Sequence, residues 1–286
     1  MSNIKVYFFS ISSQSQARPL QEIFEELQLK GISQRTYSHG QFPVRLENIL
    51  PLTLAGRNYW LLKFSKLRDT NWPGVAEPNA EATDLILDDT SLLTEDTYTI
   101  FDLENGKVAV QYNHFGVRIS KVQDYINVMG NSPFYNFIPV LNQNVLNKYE
   151  SKPIITKVHA VIDGLSDADI AIFNGSSLSQ SINQSLEADV QRIEFSISVD
   201  ARYEEMKIQK HFAKDLIDRV LGRQGPKDSL KVSVKDEDNS TIEILDLFED
   251  LKISYIDSTS LNKTAGRRYD STGFNNALIS VMNEWH

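Results

Sequence analysis

The sequence predicts an α+β fold, with mixed or antiparallel sheets and packed helices in two domains. Three observations carry this. Alternating strand patterns and helical patterns are interspersed along the chain, not segregated. "TYTIFDL" and "KVAVQYN" flank the Asn-Gly turn of "ENGK", which is the signal of an antiparallel hairpin. The third is length, because 286 residues exceed one small core. Gly-Asn-Ser-Pro at 130–133 separates two patterned stretches. It places an N-terminal α+β domain over 1–130 and a C-terminal α+β domain over 131–286.

The elements follow in order. "IKVYFFSI" is rich in β-formers and reads as a first strand; it lacks the basic leader and small-x-small site of a signal peptide. After "SSQSQ", Pro19 stands at a first helical position. Leu20, Ile23, Phe24 and Leu27 recur at helical spacing, and Gly31 closes the helix. "NYWLLKFSKLR" reads as a strand with Leu62, Phe64 and either Tyr59 or Trp60 inward and its basic residues toward solvent, ended by Trp72-Pro73-Gly74. "SKVQDYINVMG" is a short helix with Val122, Tyr125, Ile126 and Met129 on one side. Beyond the boundary, "FYNFIPVL" and "PIITKVHAVI" are strands around a short helix at "NQNVLNKYE". The polar, serine-rich 163–190 reads as loop plus a weak helix. "QRIEFSISV" alternates as a strand does, and "RYEEMKIQKHFAKDLIDRVLG" is the strongest helical pattern. "SLKVSVK", "STIEILDL" and "KISYID" are strands, and "TGFNNALISVMNEW" is a terminal helix.

Composition excludes several functions. With 41% hydrophobic and 23% charged residues the chain is a globular protein, not a disordered one. It has no cysteine, which removes disulfides, cysteine zinc sites and thiol catalysis and fits a cytoplasmic location. No apolar run reaches a membrane span of roughly 18–20 residues. The five histidines form no HExxH or HxH, and no GxSxG, P-loop or GxGxxG occurs. No cofactor is therefore expected. "DGLSDAD" gathers Asp163, Asp167 and Asp169 after a strand, which leaves a metal-dependent nuclease as the enzymatic alternative. Capped turns explain the same acids.

The net charge of −9 argues against a surface that coats nucleic acid everywhere, but the charge is uneven. Residues 201–235 carry nine Lys/Arg against five Asp/Glu, whereas 236–257 carry one lysine against eight acids. Lys207, Lys210 and Lys214 lie three and four apart and share a helical face; Arg223 and Lys227 follow in the loop "GRQGPK". Arg267 and Arg268 in "KTAGRRYD" form a smaller group. These seven residues are the nucleic-acid-binding set, because cations spaced this way neutralise a phosphate backbone without reading its sequence. The other reading of the helix is a solvated face paired with Asp215, Asp218 and the acidic stretch.

"WLLKFSKLRDTNWPG" followed by "LTEDTYTIFDLENGKVAVQYNHFGVRISKVQDYINVMG" resembles a family of uncharacterised bacterial and phage proteins. Its marks are a strand ending in Arg-Asp-x-x-x-Pro, a hairpin of the form "flyd…g…iqyn…g", and a short helix. The layout is distantly similar to RexA, the exclusion protein of phage lambda, and to KwaB of the Kiwa defence system. The resemblance implies a homodimeric, DNA-associated protein acting in antiviral defence or phage exclusion; a partner protein encoded nearby goes with the alternative of a partner module. Its motifs are structural, so they bring no catalytic residue. The expected function is accordingly non-enzymatic nucleic-acid binding, with a protein–protein sensor or partner module as a further alternative.

Overall fold

The structure is a computed structural model. It describes residues 3–285 except 39–41, 55, 71, 77, 80, 89–90, 166–167, 201–202, 204–205, 224–227, 238–240, 249–250 and 267. The chain begins with β1 (Asn3–Ser13), α1 (Leu20–Leu29), β2 (Thr36–Tyr37), β3 (Val44–Leu54) and β4 (Arg57–Arg68). β5 (Leu93–Asp102), β6 (Lys107–Gln111), α2 (Ile119–Met129), β7 (Tyr135–Pro139) and α3 (Gln143–Ser151) come next. Then follow β8 (Ile154–Asp163), α4 (Ala168–Phe173), α5 (Ser179–Glu187), β9 (Arg192–Ser198) and α6 (Lys210–Arg223). β10 (Ser229–Lys235), β11 (Glu243–Asp246), β12 (Ile253–Asp257) and α7 (Ser271–Asn283) complete it. The fold is α+β, with one sheet ordered β12-β1-β6-β5-β4-β3-β2, β7 pairing β1, and a second ordered β11-β10-β8-β9. Among the described residues no helix is long and apolar enough to cross a membrane.

Two compact units emerge, and they are not consecutive halves. The first comprises 1–6, 11–136 and 254–286; the second comprises 7–10 and 137–253. The sequence places residues 254–286 in a C-terminal domain, but in the structure they belong with the first unit. Phe274 of α7 stacks on Tyr98 of β5 at 4.5 Å between ring centroids, and Ser271 shares a hydrogen bond with the Tyr98 hydroxyl.

In the first unit β4 lies between β3 and β5 and is covered on both faces. Tyr59, Trp60, Leu61, Leu62 and Phe64 are all buried. On one face Trp60 packs edge-on to Phe24 of α1, and Phe64 does so with Tyr125 of α2. The opposite face carries Tyr59, whose hydroxyl donates to Asn283 of α7. The expectation of one solvated face is thus corrected. Lys63, Lys66 and Arg68 are half-buried, and Trp72 Nε1 donates back to the Arg68 carbonyl to close the strand. The β5–β6 turn is held by Asp102, fully buried, which accepts from the backbone and side-chain nitrogens of Asn105. Gly106 completes that turn at φ +59°, a conformation that favours glycine.

In the second unit α6 lies against β8 and β10. Leu216, Val220 and Leu221 meet Val158, Ala160, Ile162, Leu230 and Val232 in one core. Two differences from the expectation stand out. The helix expected from residue 202 starts only at Lys210, because Ile208 is bridged antiparallel to Ile155, to whose carbonyl its N–H donates at 2.9 Å. The polar stretch read as loop plus a weak helix contains two helices, α4 and α5. They are anchored by fully buried Phe173 and Ile182, two apolar residues too far apart to make a periodic pattern.

Candidate nucleic-acid interface

The structure separates the basic residues that the sequence groups together. Lys207 is exposed in the coil before α6. Lys210, at the helix start, donates to the Glu150 carbonyl at 3.3 Å. Lys214 is exposed but pairs with Asp218 one turn on, at 2.9 Å, as Arg219 does with Asp215. Much of the charge on this face is therefore matched within the helix. Lys227 and Arg267 lie outside the described residues.

Arg223 is a correction. Its side chain is only 7% exposed: Nε meets Asp169 at 2.6 Å, Nη1 meets both Asp228 oxygens at 2.6 and 2.8 Å, and Nη2 donates to the Gly164 carbonyl. All its donors turn inward, so none is presented to a phosphate. Neighbouring Asp228 also accepts the Asp163 N–H at 2.9 Å. The carboxylate of Asp169, which the sequence offered to a metal, is thus occupied by a guanidinium. Asp167 lies outside the described residues, and among those described no group of three or more acids and histidines could hold a metal ion.

Arg268 leads to a different place, a groove of about 540 Å³ in the first unit. The groove exists because a ladder stops. β5 and β6 pair from Asp102↔Lys107 to Thr99↔Val110, and then part. Beyond that point side chains take over the main-chain bonds. Gln111 Oε1 accepts the Tyr98 N–H at 3.1 Å, and Asn113 Nδ2 donates to the Asp96 carbonyl at 2.8 Å. On the far side the Tyr112 N–H donates to the Lys5 carbonyl. The chain then folds under β5, where Thr97 Oγ1 accepts the Val117 N–H. Only glycine fits at 116, since an added Cβ would stand 2.4 Å from Thr97 Oγ1.

Asp96 organises the cations. It is 12% exposed and takes a hydrogen bond from Ser65 (2.6 Å) and ion pairs from Lys63 (3.0 Å) and Arg268. Glu95 faces Arg68 at 3.9 Å. The Arg118 guanidinium lies 4.5 Å above the Tyr112 ring, Lys263 covers Tyr269, and Lys5 is exposed on the wall. The lining itself carries two cations, Lys5 and Arg268, and two carboxylates, Glu95 and Asp96; Lys63 pairs with Asp96 on one face of β4 and β5, whereas Arg68 and Glu95 lie on the other. Beside Arg68, burial and then that arginine's charge hold the Lys66 ammonium below the usual lysine range, with Arg118 adding to the effect and Glu95 opposing it. Exposed aromatic surface borders the same place, with Tyr112 38% and Phe115 60% exposed. Of this constellation the expected binding set contained only Arg268, and Lys63 and Arg68 were read as the solvent-facing side of a strand. Lys5, Tyr112, Phe115 and Arg118 were missed, although three of them stand in the quoted "QYNHFGVR".

The family model that matches this chain, over residues 11–275, is DUF6731, a family of unknown function. Comparison with curated proteins finds no match. Nothing in these comparisons connects the chain to RexA or KwaB.

Proposed function

The chain belongs to the family of unknown function DUF6731, and we propose that it binds nucleic acid, without chemistry of its own, by holding a single strand in the split-sheet groove. One observation carries the reading: Lys5, Arg268 and the exposed ring of Tyr112 line one groove of nucleotide size, with Arg118 over that ring and exposed Phe115 next to lining His114. Lys5, Arg118 and Arg268 are placed to meet phosphates, whereas Tyr112 and Phe115 offer faces on which bases stack. Stacking needs unpaired bases, so single strands should bind better than duplex. Lys207 and Lys210, exposed in the second unit, are a separate set that would only neutralise charge. A cytoplasmic homodimer that engages DNA in phage exclusion or defence belongs to the same proposal on the strength of the resemblance, and a partner protein encoded nearby goes with the alternative of a partner module.

Fluorescence anisotropy with labelled single-stranded DNA, single-stranded RNA and duplex DNA across a salt series tests it. Single strands are expected to lead, and log K should fall with log salt at a slope near −0.7 per phosphate contacted. Tyr112→Ala should weaken binding roughly tenfold, within the range measured for one stacked base. Absence of binding to all three at low salt sinks the proposal. Tyr112→Ala binding as well as wild type removes the groove from it.

A further inference from the structure

We infer that β9 is a self-complementary edge through which two copies of the chain join, antiparallel, into one continuous sheet. This inference does not rest on the nucleic-acid reading. β9 ends the order β11-β10-β8-β9, and among the described residues no strand pairs with its outer side. Seven residues long, it is the longest of the four strands that end a sheet order; β2 has two, β11 four and β12 five. Long exposed edges are what folded proteins ordinarily blunt with proline, lysine or a bulge. "RIEFSIS" contains no proline and no lysine, and its register with β8 runs without a shift from Asp163↔Arg192 to Lys157↔Ser198.

The hydrogen-bonding phase fixes which groups are on offer. The Val199 N–H donates to the Thr156 carbonyl at 2.9 Å. Antiparallel bonding alternates, so Ile197, Phe195 and Ile193 bond inward to β8, and the N–H and C=O of Arg192, Glu194, Ser196 and Ser198 point outward. A two-fold axis at Phe195 sets Glu194 opposite the partner's Ser196 and Arg192 opposite the partner's Ser198. These are the residues whose main-chain groups face out, so a full ladder forms in this register.

Side chains agree with the backbone. No like charges face each other across that axis. Phe195 meets its own copy at a non-hydrogen-bonded position, where side chains approach most closely, and Ile193 meets Ile197. All three are half-buried at the rim of the unit's core, so pairing extends that core across the axis. A two-fold junction is closed, which yields a dimer and not a fibre.

Sedimentation equilibrium of the full chain tests this, with substitutions at exposed Ser196 that leave the core untouched. The wild type should reach 65 kDa, twice the 32.5 kDa chain, in the micromolar range. Ser196→Glu sets two like-charge pairs against Glu194 by symmetry and should weaken the dimer roughly 2- to 30-fold, whereas Ser196→Lys should strengthen it by a similar factor. Ser196→Pro removes an outward N–H without touching the bonds to β8 and should leave monomer. A wild type that stays monomeric at about 100 µM overturns the inference. So does a dimer whose dissociation constant ignores all three substitutions.

Discussion

Replacing Arg223 by methionine separates a structural arginine from a phosphate-binding one. The side chain joins two carboxylates that are themselves buried: Asp169 is 2% exposed and the Asp228 side chain is fully buried. Methionine keeps most of the stem's volume but leaves both charges without their counter-ion. Removing one partner of a buried pair costs about 3–5 kcal/mol, because the charges left behind pay desolvation with nothing to offset it. For a unit of this size that is a fall in melting temperature on the order of 10 °C or more. Arg223→Lys should recover only part, since an ammonium cannot reproduce contacts to Asp169, Asp228 and the Gly164 carbonyl at once. Urea titration followed by circular dichroism is the assay, because the three tryptophans (60, 72, 285) all lie in the first unit and would not report on this one. Nucleic-acid affinity, measured where the variant is still folded, should be unchanged. A loss below about 1 kcal/mol together with weakened binding would refute the reasoning and return Arg223 to the interface.

Two further predictions concern charge. Lys66 titrates lower in the folded chain than its ordinary 10.5, through burial first and Arg68 second, so the folded state holds fewer protons there than the unfolded one. The cost is fully present at neutral pH and fades as pH climbs toward about 10.5, so wild type should gain stability relative to Lys66→Met over that interval; melting curves of both proteins at pH 7 and pH 10 with a constant gap would contradict this. Lys207→Glu combined with Lys214→Glu should weaken nucleic-acid binding less than Tyr112→Ala does, because Lys214 is already paired with Asp218; a larger loss in the double variant would move the binding site to α6.

What could be read in the sequence was whatever depends on near neighbours. The β5–β6 hairpin, the α1 stripe of Leu20, Ile23, Phe24 and Leu27, and the alternation of β9 are each fixed by residues a few positions apart, and the structure has all of them. Misreadings arise where a distant partner decides. Arg223 looks like one more cation in a basic run until Asp169, 54 residues earlier, meets it. Likewise Ile208 continues the helical stripe in sequence, and its bond to Ile155 takes it out of the helix. The groove is harder still, since it joins Lys5, Asp96, Tyr112 and Arg268 from four separate segments.

Yet part of the groove was on view. The resemblance rests on a hairpin ending in Gln-Tyr-Asn followed by glycine, and each of those residues has a task at one split in a sheet. Gln111 and Asn113 bond the main-chain groups of Tyr98 and Asp96 where β5 and β6 part. Between them Tyr112 is exposed, with Arg118 over its ring, and Gly116 admits the chain beneath Thr97. Two amides in place of a ladder are a costly way to build an ordinary sheet, because an unbonded N–H or C=O at this depth would lose about 1–3 kcal/mol. Continuing the β5–β6 pairing by two residues would satisfy the same groups with main chain alone, but it would close the groove. The motif is therefore structural in what each residue bonds, and the arrangement leaves a groove open beside it. That is why reading it as scaffold alone passed over Tyr112 and Arg118, the residues the proposed function assigns to a ligand.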